Sequence, residues 1–282
     1  MNDWGLSFSP GALIAPSIDW LNTNLHGLFR AISIVVEALL DAVQNTLTVL
    51  PPWGVILAVA VLALVVANWR VALLAVGALG FCWAMGLWTA SMQTIALVIV
   101  AVAISVLIAF PLGILASRNN RVENALRPVL DVMQTVPPWI YLIPAVIFFS
   151  LGRVPALIAT VIYGVPPMLR LTTLALKQVP KPFLELGDAL GATRSTILWK
   201  IEIPAAKPTL LVGLNQCILL SLAMVVLAGL VGAGGLGAEV TRGLTRMEIG
   251  VGLRAGLSIV AVALLLDRLS SAALDRQPRR VR

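Results

Sequence analysis

The stretch VGAGGLGAEV, Val231 to Val240, carries Gly232, Gly234 and Gly237 in a G-x-G-x-x-G spacing, with Gly235 among them. That spacing cradles a pyrophosphate when it closes a short strand and opens a helix in a βαβ unit. Here it follows an apolar run of about 24 residues, long enough to cross a bilayer. No Lys-Ser or Lys-Thr follows it, so it is no Walker loop either. The glycines instead predict a tight turn, where positive φ and close helix approach are allowed. That turn is either a plain connection or part of a gate at the outer mouth of a pathway. Other reactive groups are sparse. His26 is the only histidine, which excludes a multi-histidine metal site and a catalytic histidine at depth. Cys82 and Cys217 both fall inside apolar runs and are expected as small buried hydrophobes. No catalytic residue and no metal ligand set is assigned.

The composition explains this poverty. Of 282 residues, 59% are hydrophobic and 12% charged, against about 25% charged in a soluble domain. Mean hydropathy is +0.97. The expected class is an all-α polytopic membrane protein. The net charge of +7 does not point to nucleic acid, because the basic residues are spread over short loops.

Seven spans are expected, at about 53–69, 70–88, 93–116, 138–152, 154–174, 208–231 and 252–267, on the criterion of roughly 20 apolar residues each. Pro144 interrupts the fourth, and Pro155, Pro166 and Pro167 mark the fifth as kinked. Residues 1–52 form an extracytoplasmic tail without a secretory signal. Within it, 28–50 is an amphipathic helix lying along the membrane surface or against the bundle: Leu28, Ile32, Val35, Val36, Leu39, Leu40, Val43 and Leu47 line one face. Residues 53–88 make two accessory spans, 89–268 the transmembrane core, and 269–282 a basic tail. Fifteen of the 20 Lys and Arg fall on one side, including Arg118, Arg127, Lys177, Lys200 and Arg268. Arg30, Arg153, Arg242, Arg246 and Arg254 fall on the other. The positive-inside bias puts the C-terminus in the cytoplasm and the N-terminus outside a bacterial inner membrane.

No Asp or Glu is expected well inside a span. Ion-coupled carriers place ionisable groups at membrane depth, so a secondary carrier is the disfavoured class, along with voltage sensors and intramembrane hydrolases. The chain has a pathway without its own engine, and energy must enter from a partner. Span six carries Asn215, Gln216, Ser221 and Met224. Asn215 and Gln216 are costly against lipid. They either bond another helix or line a wet pathway suited to a zwitterion or organic cation.

The loop between spans five and six, 177–207, is where a partner could dock. Pro180 and Pro182 can start a helix there, and Gly191 can end it in the left-handed conformation. Thr193 or Ser195 can cap a second short helix, which Pro204 closes. Leu184, Leu186, Leu190, Ile197 and Trp199 are expected exposed. The run Glu185-x5-Gly191-x9-Ile201-x-Ile203-Pro204 resembles the coupling-loop motif of ABC importer permeases, written E-A-A-x3-G-x9-I-x-L-P. Leu186 and Gly187 replace its alanines and Ile203 its leucine. Residues of about 90–270 are similar to the membrane subunit of glycine betaine/proline betaine/choline uptake systems. The shared stretches are Gly213-Leu214-Asn215-Gln216, Ser221 to Val226, Gly234-Gly235-Leu236-Gly237, Leu130 to Gly152 and Asp267-Arg268 after the last span.

The resemblance implies a five-helix type I ABC importer core preceded by two extra helices. It implies a homodimer with two ATPase subunits and an extracytoplasmic substrate-binding protein. ATP and Mg would sit on the ATPase, and this chain would bind no cofactor and catalyse no covalent chemistry. Glu185, Asp188, Ala189, Gly191, Ile201 and Pro204 would form the ATPase-coupling loop. The solute would be glycine betaine, choline or a related quaternary ammonium compound. The same architecture importing another small solute, such as methionine, is the nearest alternative.

Overall fold

A computed structural model describes residues 10–275, and side chains over 16–272. Among these residues every element is helical. Two helices, α1 (Pro10–Asn24) and α2 (His26–Thr48), open the chain. Next come α3 (Pro52–Val66) and α4 (Trp69–Ala84), packed on each other. Asn68 breaks the chain between them: its side chain accepts from the Arg70 and Val71 N–H groups and caps α4. The core follows: α5 (Trp88–Arg118), α6 (Asn120–Thr135), α7 (Leu142–Phe149), α8 (Arg153–Lys177), α9 (Lys181–Ala189), α10 (Arg194–Ile197), α11 (Ile203–Ala228), α12 (Gly235–Thr245) and α13 (Ile249–Asp275).

Helices α5, α8 and α11 form the centre, and small residues let them close up. A Cβ on Gly164 would meet Ser105 Oγ at 3.0 Å, Cys217 Sγ at 3.1 Å and Ser221 Oγ at 3.2 Å. Cys82 and Cys217 are both fully buried, as expected. Cys82 lies where α4 packs on α13, its Sγ 3.9 Å from the Ser258 carbonyl. The amphipathic α2 packs against α5, α7 and α8 through buried Val36 and Leu40. Phe29 stacks near Phe148 and Phe149, and Arg153 donates to Asp41 at 2.7 Å. This helix therefore lies against the bundle.

Several boundaries differ from expectation. Among the described residues, four helical segments are long and apolar enough to cross a bilayer, or six when two bent pairs each count as one broken span. Of the first two expected spans, α3 has 15 residues and reaches spanning length only when paired with α2 across a bend of 95°, and α4 has 16. The fourth expected span is also too short: a 3-10 turn (Pro138–Tyr141) leads into the eight residues of α7. It pairs instead with α6 across a bend of 104°. Pro144 sits in the first turn of α7, and α8 continues through Pro166 and Pro167. The long connection from 232 to 251 is no plain loop, since it holds α12. Finally, α13 continues to Asp275, so Asp267-Arg268 and residues 269–275 lie within the helix.

Candidate functional site

The basic residues gather at two ends of the bundle. At one end Arg118 pairs with Glu202, Lys177 with Glu123 and Arg170 with Asp131. At the other, the Gly152 N–H donates to the Val231 carbonyl at 2.8 Å, beside Arg153 and the glycine turn.

The first end carries the proline-bounded loop. Pro180 caps α9 and Pro182 stands in its first turn, where the missing N–H costs nothing. Glu185, Asp188 and Ala189 are exposed on α9, as are Leu186 and Leu190. Gly191 ends the helix at φ +69°. Thr193 Oγ1 then accepts from the Thr196 N–H at 3.2 Å and caps α10. Only Gly187 of α9 is buried; it rests on Ile197 and Ile201.

Three expectations fail here. Leu184 is half-buried and packs on the cluster of Ala175, Leu176, Val179 and Ala206. Ile197 is buried beneath Gly187. Pro204 does not close the second helix. A π turn, Leu198–Glu202, joins α10 to α11, and the Ile203 N–H donates to the Leu198 carbonyl. The wider turn absorbs the N–H that Pro204 lacks, so Arg194–Val231 runs on as one 38-residue helical segment. Ile201 is half-buried in this turn and Pro204 is exposed beyond it.

Further along α11, Asn215 Nδ2 donates to Asp267 Oδ1 at 3.1 Å, and Ser270 Oγ donates to Asn215 Oδ1 at 2.6 Å. Of the two roles open to Asn215, bonding a neighbouring helix is the one seen. Gln216 is exposed; Ser221 and Met224 are buried in the chain's own core. Tyr141 donates to the Met133 carbonyl at 3.0 Å, which is packing. Interhelical bonds in membranes average about 0.6 kcal/mol, so Asn215→Leu is expected to cost about 1 kcal/mol. A double-mutant cycle with Ser270→Ala, read by thermal unfolding in detergent, should show strong non-additivity.

At the opposite end, α11 finishes in a 3-10 turn, Gly229–Val231. Gly232, Gly234 and Gly235 take φ of +77°, +76° and +69°. The backbone then starts α12, whose first N–H groups find side-chain acceptors on α5. Gly235 N–H donates to Gln93 Oε1 and Leu236 N–H to Thr94 Oγ1, each at 2.9 Å. Gly237 is where α12 meets α11. A Cβ there would lie 2.5 Å from the Val225 carbonyl oxygen, and one on Gly229 would lie 2.3 Å from Gly237. The four glycines therefore serve two needs, a reversal of the chain and a backbone-to-backbone contact.

Sequence reasoning missed Gly187, Arg118, Glu202, Gln93 and Thr94. The available signal for Glu202 is an acid inside an otherwise apolar I-x-I-P run, and for Gly187 its place at an alanine position of the coupling motif; the others give none.

Residues 109–282 match the family model described as binding-protein-dependent transport system inner membrane component. The chain belongs to that family. A glycine betaine transport system permease protein, OpuAB of Bacillus subtilis, is 39% identical over 90% of this chain and 90% of its own. The glycine betaine/carnitine permease protein GbuB of Listeria monocytogenes is 38% identical over 93% of this chain and 97% of its own. ProW of Escherichia coli, a glycine betaine/proline betaine permease protein, is 36% identical over 92% of this chain and 73% of its own. Among solved structures, the MetNI methionine ABC transporter in inward-facing conformations matches with a TM-score of 0.54. That match covers 65% of this chain and 90% of that one, at 23% identity, and shows the fold alone. This chain is thus the membrane component of a transport system, with the type I ABC importer fold.

Proposed function

We propose that this chain is the permease subunit of an ATP-driven importer for glycine betaine or a related quaternary ammonium solute. Relatives whose names carry glycine betaine, at 36–39% identity over most of the chain, support that solute class. Two copies would assemble with two ATPase subunits, which hold ATP and Mg, and with an extracytoplasmic binding protein. The N-terminus would lie outside and the C-terminus in the cytoplasm, as the charge bias favours.

The observation that carries the reading is the folded form of the motif Glu185–Pro204. Helix α9 stands out from the bundle with Glu185, Leu186, Asp188, Ala189 and Leu190 exposed, seated by buried Gly187 and half-buried Leu184. A partner that grips α9 moves α11 through the same contact. ATP binding would draw the two α9 helices together and open the pathway outward; hydrolysis would return it inward. The solute carries a permanent positive charge, and the permease need not cage it if a binding protein delivers it.

Uptake of radiolabelled glycine betaine into liposomes containing the chain, its ATPase and its binding protein tests this. Uptake should need internal ATP, and Glu185→Arg should lower it at least tenfold. ATP hydrolysis stimulated by the permease, without betaine uptake, would keep the class and discard the solute. Neither activity in a folded complex would sink the reading.

A further inference from the structure

Glu202 occupies the position that the coupling motif leaves open, between Ile201 and Ile203. Its side chain is 1% exposed. A carboxylate so buried demands a partner, and it has one. Arg118, in the last turn of α5, donates Nη1 to Glu202 Oε1 at 2.7 Å and Nη2 to Oε2. The pair is bidentate, which fixes orientation as well as distance. Arg118 also stands where the α5 dipole favours a cation. Glu202 closes the π turn, a turn frequent at functional sites.

Both ends of α5 are tied to other elements. At the Arg118 end, α9 seats on Ile197 and Ile201, on the same turn as Glu202. At the other end, Gln93 and Thr94 hold the first N–H groups of α12, beside the glycine turn. Between Gln93 and Arg118 lies about 37 Å of helix at 1.5 Å per residue. We infer that Arg118 and Glu202 are positioning residues for coupling: they lock the π turn to α5, and α5 carries displacement of α9 to the glycine turn at the far end. The inference rests on the coupling role of α9 proposed above.

The test separates this role from a structural one. The Glu202 carboxylate is buried while Arg118 is 43% exposed. Replacing such a pair by apolar residues of similar volume often preserves stability, whereas removing one partner of a buried charge does not. Arg118→Met with Glu202→Met should therefore fold, melt near the parent and bind the ATPase. Betaine delivered per ATP hydrolysed should nevertheless fall at least tenfold, because an apolar contact slides where a bidentate pair does not. A parental ratio in the double variant overturns the inference. If that variant does not fold, hydrogen exchange on the parent complex decides. Nucleotide locking should change protection at residues 93–97 and 232–238 together; unchanged protection there overturns the inference. Glu185→Arg runs in parallel. Should ATPase binding survive it, the docking role of α9 fails. Should binding be lost there while the double Met variant keeps the parental ratio, only the Arg118–Glu202 role fails.

Discussion

Gly237→Val is expected to yield almost no folded chain. A Cβ at Gly237 would sit 2.5 Å from the Val225 carbonyl oxygen, 2.8 Å from that of Val226 and 3.1 Å from Val226 Cα. These are backbone atoms, and no rotamer change moves them. Gly229 faces the same contact from α11. Two helices here meet without side chains between them, so an isopropyl group must push α12 off α11. That also pulls the Gly235 and Leu236 N–H groups away from Gln93 and Thr94. Overpacking alone costs about 1–3 kcal/mol, and the broken helix-end bonds add to it. Against a total stability of about 5–15 kcal/mol this is severe. Gly234→Ala is the control. The nearest atom is the mobile end of Gln93 at 3.1 Å, so the cost is mostly backbone strain, about 1–3 kcal/mol, because φ +76° with ψ −158° is a conformation nearly confined to glycine. Size-exclusion recovery and thermal unfolding in detergent should rank parent, Gly234→Ala and Gly237→Val in that order. A parental melt for Gly237→Val would mean that α11 and α12 do not touch as described.

The same glycines show what a sequence can carry. Their turn was legible, because positive φ is a local demand that glycine alone meets cheaply. Their contact was not, because it joins Gly229 to Gly237 through space. Helices α5, α8, α11 and α13 were legible as long apolar runs. Helices α6 and α12 were not: each mixes polar and apolar residues, and a search for apolar runs passes over them. Pro204 was read as a stop because an α-helix cannot absorb it, yet a π turn can. The Glu185–Pro204 spacing was readable at once. Its neighbour Glu202 was opaque, since Arg118 lies 84 residues away. Asn215 was legible as a polar residue needing a partner; that the partners are Asp267 and Ser270 emerged only from the packing of α11 on α13.

Gly187→Leu is expected to leave the chain folded and to uncouple it. Gly187 is the one buried residue of α9, and a Cβ there would meet Ile201 Cδ1 at 2.9 Å and Ile197 Cγ1 at 3.1 Å. Those are side-chain atoms, and Cδ1 is the free end of a flexible chain. A single methyl group can therefore be accommodated, and Gly187→Ala should act weakly. The branched Leu side chain cannot be: α9 must lift from its seat or rotate upon it. The cost stays local, because apart from Gly187 only Leu184 of α9 packs inward, on the small cluster of Ala175, Leu176, Val179 and Ala206, outside the main core. The melting temperature should move little. The geometry of Glu185 and Asp188 relative to α11 should move by ångströms, and a displacement of 1 Å can cost about a hundredfold where alignment matters. ATPase association, measured by co-purification, should weaken at least tenfold, and betaine uptake should fall with it. Normal uptake in a folded Gly187→Leu complex would show that α9 need not be seated on Ile197 and Ile201 to transmit force. Gly187→Ala and Gly187→Leu then form a graded pair on one contact: side-chain volume at a single position sets the coupling while the bundle itself is left standing.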